Sequence, residues 1–220
     1  MYKNITKRLI DIIISGMAIA VLAIPMLIVA IVIKIDDPGP VLFKQKRIGK
    51  NKNGKVTYFM IWKFRSMKMS TPHDTPTHLL KNPEQYITRV GKFIRKTSID
   101  ELPQIYQVFS GKLSCIGPRP GLWNQVDLWE EREKYGANDI KPGITGWAQI
   151  NGRDELEVPV KAKFDGEYTA ALNAGKLNGF LMDMKCFFGT ITSVLKSDGV
   201  VEGGTGKLGK QEGAKDEETV

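Results

Sequence analysis

Two adjacent carboxylates, Asp100 and Glu101, follow the basic cluster Arg95-Lys96 and precede Leu102-Pro103-Gln104. Acids of this type beside cations suit nucleophilic or metal-binding work on an anionic substrate. Ser98 and Glu101 stand at the spacing that opens a helix, whose first N–H groups favour anions. With Ser98 as N-cap, Pro103 would remove the first internal hydrogen bond. With Asp100 as N-cap it falls where an N–H is unpaired anyway. Both readings put Asp100 at the helix mouth, and an ordinary capped helix reads the same way, so the rest of the chain must decide. Leu102, Ile105, Tyr106 and Phe109 recur at helical spacing and predict one buried face, with Gln104 and Gln107 pointing away from it.

The elements that must position these acids begin with a membrane segment. Ile12 to Ile33 is a 22-residue run without a charge, long enough as a helix to cross a bilayer core. It is longer than a signal-peptide core and lacks a small-x-small cleavage site. A single transmembrane helix also fits the length. Lys3, Lys7 and Arg8 lie before the run, however, and Lys34, Lys44, Lys46 and Arg47 after it, which favours keeping both ends in the cytoplasm. Pro25 supplies a place for the chain to turn back. The downstream side is the more basic, which leaves an N-out span open. Asp11 sits within helical reach of Lys7 and Arg8, where ion pairing would reduce the cost of a charge near lipid.

Past Asp36-Asp37-Pro38-Gly39-Pro40, two strands are predicted, Val41 to Ile48 and Val56 to Trp62, joined by a polar turn as a β-hairpin. Nine Lys or Arg residues and no acid fall between Pro38 and His73, a composition that holds lipid headgroups or phosphates or simply faces water. Alternation puts Lys63 and Arg65 on one face. Residues 70–83 read as a loop, Arg89 to Thr97 as a short basic helix, and Leu122 to Tyr135, Glu155 to Ala171 and Leu181 to Lys196 as further helices. Arg119 is held between Pro118 and Pro120 in extended backbone, suited to bidentate phosphate contact. The glycine-rich stretch from Lys141 to Arg153 reads as irregular.

The 220 residues carry a net charge of +8, from 32 Lys plus Arg and 24 Asp plus Glu, and are 42% hydrophobic. That excludes a disordered chain and suits an anionic partner. Cys115 and Cys186 form no disulfide framework or usual zinc spacing with His73 and His78 and are read as reduced and structural. Three units are expected: residues 1–36 in the membrane, 37–198 as a cytosolic catalytic domain, and 199–220, glycine-rich with net charge −2, as a disordered tail.

Lys7-Arg8-x-x-Asp11, Lys63-Phe64-Arg65-Ser66-Met67, Ser98-x-Asp100-Glu101-Leu102-Pro103-Gln104, Gly117-Pro118-Arg119-Pro120 and Pro142-Gly143-Ile144-Thr145-Gly146 together resemble, in order and spacing, the bacterial sugar transferase family of small monotopic phosphoglycosyl transferases. The resemblance covers about residues 1 to 198. It implies a mostly helical α+β fold with a re-entrant N-terminal helix-break-helix, a β-hairpin and several short helices around one small catalytic core. It implies transfer of a sugar-1-phosphate from a UDP-sugar to a polyprenol phosphate, typically undecaprenyl phosphate, with release of UMP and dependence on Mg²⁺. This is the first membrane step of glycan assembly, at the cytoplasmic face of the bacterial inner membrane among its phospholipids. The family often breaks its helix at Ser-Pro, whereas Ile24 precedes Pro25 here.

On this reading Asp100 is the nucleophile that forms an acyl-phosphate, and Glu101, with Asp100 beside it, is a Mg²⁺ ligand. Arg95, Lys63, Arg65, Arg119 and Arg153 are the candidate substrate-binding cations, Arg119 for the UMP half; Asp183 is a weaker site candidate. Direct transfer in a ternary complex is the alternative route. A membrane-tethered nucleic-acid binder would explain the charge but gives no reason for an acid pair that would repel a phosphate backbone, so nucleic acid is not an expected partner.

Overall fold

The computed structural model describes residues 2–71, 83–152 and 156–196. It is a mostly helical α+β arrangement. One turn of π-helix, Tyr2–Thr6, leads into α1, Lys7–Asp36, thirty residues long. Next come the antiparallel hairpin of β1, Leu42–Ile48, and β2, Tyr58–Phe64, with Leu42 opposite Phe64 and Ile48 opposite Tyr58. Two short helices follow, α2 at Arg89–Lys96 and α3 at Gln104–Phe109. A parallel pair is formed by β3, Ser114–Ile116, and β4, Gly143–Thr145. The remaining helices are α4, Val126–Glu133, α5, Trp147–Ile150, α6, Val158–Asn173, and α7, Lys176–Lys196.

The break expected at Pro25 is not present: α1 continues through it. Its packing accounts for this. Lys7, Asp11, Ser15, Leu22, Met26, Val29 and Ile33 are buried or half-buried, and at about 100° per residue they fall within an arc of roughly 100°. That stripe lies along the folded domain. Leu22 and Met26, on either side of Pro25, pack into one cluster with Phe64 and Ile94, which carries the helix through a residue that would otherwise break it. Burying Met26 and Ile33 contributes about 3–6 kcal/mol together. The opposite stripe of Leu9, Ile13, Met17, Val21, Ile24, Ile28, Ile31 and Ile35 has no protein cover; Val21 is 73% and Ile24 72% exposed.

Both ends of α1 are tied to the domain by polar contacts. At the start, Lys7 Nζ donates to Asp183 of α7 at 2.7 Å, and the Asp11 carboxylate accepts from Ser114 Oγ at 2.8 Å and the Cys115 N–H at 2.9 Å. Asp11 is therefore satisfied by β3 rather than by the Lys7 or Arg8 pairing expected along the helix. Arg8 instead donates to the carbonyls of Val108 and Phe109, satisfying the last turn of α3. At the other end Asp36 accepts from the Val90 N–H and Asp37 pairs with Arg65.

The buried face predicted for α3 forms only in part: Leu102 packs against the cluster of Phe64 and Ile94 and Ile105 is half-buried, but Tyr106 and Phe109 do not turn inward. Gln104 and Gln107 are 1% exposed, whereas Tyr106 and Phe109 are 42% and 49% exposed. Phe109 lies beside Gly16 of α1. Tyr106 and Phe109 thus continue the uncovered apolar surface of α1, while Val108 and the two amides face the protein. The Gln107 amide accepts from Trp62 N–H at 2.9 Å and donates to Met60 O at 2.6 Å, engaging backbone groups of β2. Both cysteines are free, with their thiols pushed up to about 12, chiefly by burial and next by Asp11 for Cys115 and Asp183 for Cys186. That agrees with structural roles.

Candidate active site

The acids are set in place by a left-handed residue. Thr88 caps α2 by accepting from the Gly91 N–H at 2.8 Å, and the helix runs to Lys96. Ser98 then takes φ +57°, makes no side-chain cap bond, and turns the chain into the short 3₁₀ turn Ile99–Glu101. Asp100 and Glu101 thus precede α3 rather than open it as a capping box, and Pro103 stands just ahead of α3, where no helical N–H is needed.

Three further elements converge on this turn. The first is β2, which starts and ends two residues later than predicted and so brings Lys63 Nζ to 2.7 Å from Glu101 and 3.6 Å from Asp100. The second is the β3–β4 pair. Gly117 N–H donates to Thr145 O and Gly143 N–H to Pro118 O, so the two glycine-proline segments are bound side by side. A Cβ on Gly143 would meet Gly117 N at 2.2 Å, which explains the glycine there. From this frame Arg119 places its two terminal nitrogens 2.5 and 3.3 Å from the Glu101 oxygens, a two-pronged grip on the carboxylate. The third is α2, whose Gly91 lies so close to Ser66 that a Cβ would fall 1.9 Å from the Ser66 carbonyl oxygen. That approach brings Arg95 to 3.3 Å from Ser66 Oγ, and its charge reaches Asp100.

The acids are neighbours in different electrostatic states. Burial pushes the Asp100 carboxyl above its ordinary range, helped by the Glu101 charge and opposed by Lys63, Arg95 and Arg119. Burial would raise Glu101 too, but Arg119 and Lys63 outweigh it and hold that carboxyl well below the usual range. Opposed environments of this kind assign different roles to paired acids.

Opposite stability effects follow. Asp100 binds its proton more tightly folded than unfolded, so stability falls as pH rises through the window above the ordinary aspartate value, and the ionised group opposes folding at neutral pH. Glu101 contributes stability above the ordinary glutamate value that is lost on acidification. Thermal melts in detergent at neutral pH are expected to show Asp100→Asn with a raised Tm and Glu101→Gln with a lowered one. Both differences should shrink near pH 4. Shifts of the same sign would contradict the assignment.

The remaining sequence candidates separate. Arg65 is buried and paired with Asp37 at 2.7 Å, with a further short contact to the Asp37 carbonyl, so it clamps the end of α1 beside the site. Arg153 and residues 72–82 of the predicted 70–83 loop lie outside the described residues, as does the tail. Asp183 is 3% exposed and accepts from Tyr2, Lys7 and Tyr168 at 2.6–2.7 Å. It joins α1, α6 and α7 away from the acid pair. Two contributors were missed: Ser66, which holds Arg95, and Gln104, whose side-chain nitrogen is buried without a partner one turn beyond Asp100. Both lie within the quoted motifs, but serine and glutamine carry no charge signal that would have singled them out.

A family model described as bacterial sugar transferase matches residues 2–197. The chain is 37% identical over 196 residues to an uncharacterized sugar transferase, EpsL, of Bacillus subtilis, covering 89% of this chain and 90% of that protein. It is 38% identical over 197 residues to the exopolysaccharide production protein PSS of Rhizobium leguminosarum, covering 87% and 96%. It is also 38% identical over 172 residues to the UDP-glucose:undecaprenyl-phosphate glucose-1-phosphate transferase of Escherichia coli, covering 75% of this chain but 36% of that longer protein.

Proposed function

The chain belongs to the bacterial sugar transferase family, and from that premise we propose that it transfers a sugar-1-phosphate from a UDP-sugar to a polyprenol phosphate, undecaprenyl phosphate in the bacterial membrane, with release of UMP. The observation that carries this reading is the unequal acid pair, Asp100 and Glu101, set among Lys63, Arg95 and Arg119 on a domain docked along an apolar helix.

In the proposed route a carboxylate oxygen of Asp100 attacks the sugar-bearing phosphorus of the donor. An O–P bond forms, the bridging O–P bond breaks, and its electron pair leaves with UMP. An oxygen of the polyprenol phosphate then attacks the same phosphorus and returns the Asp100 carboxylate. Lys63, in contact with both acids, favours the ionised form of Asp100. Arg95 faces the phosphate under attack, and Arg119 on its rigid segment receives the UMP half by exchanging part of its grip on Glu101 for phosphate. Two adjacent carboxylates, completed by donor phosphate oxygens, form a donor set that suits Mg²⁺; Glu101 and Asp100 would hold it, and when bound it supplies neutralisation of phosphate charge.

Purified full-length protein in detergent, given Mg²⁺, polyprenol phosphate and a panel of UDP-sugars, should release UMP with at least one donor. Chelation of Mg²⁺ should stop it. No release from any donor would refute the function.

The same reading places the protein at the cytoplasmic face of the inner membrane. Lys7 and Asp37, at opposite ends of α1, both bind one domain, so a crossing helix would pull one charged contact into hydrocarbon. The uncovered stripe of α1, with Tyr106 and Phe109, lies instead in the near leaflet among phospholipids. Single cysteines replacing Lys3 and Asn53, in a background lacking Cys115 and Cys186, should both resist an impermeant thiol reagent in intact cells. Labelling of the residue 3 position alone would establish a span.

A further inference from the structure

Four lysines that the acid pair does not use line a cleft of about 550 Å³ at the turn end of β1 and β2. Lys50 and Lys52 come from the turn, Lys112 from the segment after α3, and Lys141 from the approach to β4. No acidic residue lines it, and among the described residues none of these four lysines has a carboxylate within ion-pair distance. Lys141 is pushed below its ordinary value by burial first, then by Arg8, with Lys50 and Lys7 adding to it and Asp11 opposing. Lys112 Nζ lies 6.0 Å from the centroid of the Trp62 ring, and such a group of cations without a counter-charge is stabilised by an anion brought among them.

Position identifies the kind of anion. Gly111, on the cleft wall, lies against the Arg8 guanidinium of α1. Two residues earlier Phe109 is exposed beside α1, where Leu9 is 55% exposed and Ile5, in the turn that leads into α1, is 53% exposed. The cleft therefore adjoins the start of the uncovered apolar stripe, with cations inside and hydrocarbon-compatible surface beside it. Phe59, which also lines it, and Lys63 at the acid pair lie on the same face of β2, about 13 Å apart along the strand. The cleft is thus a site separate from the acids.

We propose that this cleft binds the phosphate of a membrane lipid, with the lipid chains lying along the α1 stripe. The ligand class rests on the membrane placement given above but not on the transfer reaction. Two lipids carry that chemistry, an anionic phospholipid and a polyprenol phosphate.

The test uses the full chain in detergent micelles and follows Tm as phosphatidylglycerol, polyprenol phosphate, phosphatidylcholine or inorganic phosphate is titrated in. Phosphatidylglycerol or polyprenol phosphate should raise Tm saturably, and whichever does so identifies the source. Lys112→Gln/Lys141→Gln should weaken the midpoint about 25-fold, at about fivefold per lysine. Lys112→Arg/Lys141→Arg should restore it, and the exposed pair Lys50→Gln/Lys52→Gln should weaken it without altering the lipid-free Tm. A response unchanged in both Gln variants would overturn the proposal. So would an equal response to inorganic phosphate, which would make the cleft a soluble-anion site, or an equal response to phosphatidylcholine, which would mean that the lipid chains alone bind. UMP release is measured separately, so a protein that transfers normally but shows no lysine-dependent lipid shift refutes this site and not the reaction.

Discussion

Asp100→Asn protein given a UDP-sugar should release no UMP and gain no mass, whereas the wild-type protein without acceptor should release at most one equivalent and retain a sugar-phosphate on Asp100. The substitution keeps the shape of the side chain and removes the charge that attacks phosphorus. Turnover should therefore fall by at least about a thousandfold. Rapid quench followed by intact-protein mass spectrometry and peptide mapping reads both quantities. A saturating donor that gives neither burst nor adduct, with full turnover once acceptor is added, would replace the covalent route by direct transfer in a ternary complex. The pH profile supplies an independent check. Burial holds the Asp100 proton above the ordinary carboxylate range, so UMP release should decline on acidification earlier than a free aspartate would allow. Lys63 is the largest opposing influence, and Lys63→Met should move that decline to higher pH.

The second large effect lies far from the acids. Asp183→Ala should destabilise the protein by about 3–5 kcal/mol, because Lys7 would be left buried without its counter-charge, the Tyr2 hydroxyl would lose its acceptor and Tyr168 would keep only the Ile116 carbonyl. Burial, with the Asp183 carboxylate next, holds the Tyr168 hydroxyl well above its ordinary value, so it remains a donor and cannot replace the lost charge. Chemical denaturation in detergent measures the loss, and Lys7→Met/Asp183→Leu should recover much of it if the unpaired charge is its source. A loss below about 1 kcal/mol would mean that the contact behaves as a surface pair.

How much of this was legible depended on what surrounds each element. The hairpin could be read because β1 and β2 alternate against protein; β1 starts one residue later than read, and β2 lies two residues further along the chain. The acid pair and Arg119 could be read from charge and proline spacing, and the structure brings them together. Tyr106 and Phe109 misled because amphipathic patterns are ordinarily read against water. Beside an uncovered apolar helix the apolar side turns outward and Gln107 turns in to β2. The β3–β4 pair was hidden for another reason. Strands of three residues, 27 positions apart from Ile116 to Gly143, have no periodicity to detect. Pro25 gave the right local warning, but packing on both sides of it decided the outcome.

Helix α1 supplies Ile10 beside one hydrophobic cluster and Met26 and Ile33 within the other, so both cores are incomplete without it. It is consequently inherited with the fold and is not an exchangeable anchor. Recombination that supplied an unrelated apolar helix would leave Ser114 without Asp11 and Asp183 without Lys7. Lineages of this protein should therefore diversify around α1 while its inward stripe changes only together with the residues it touches.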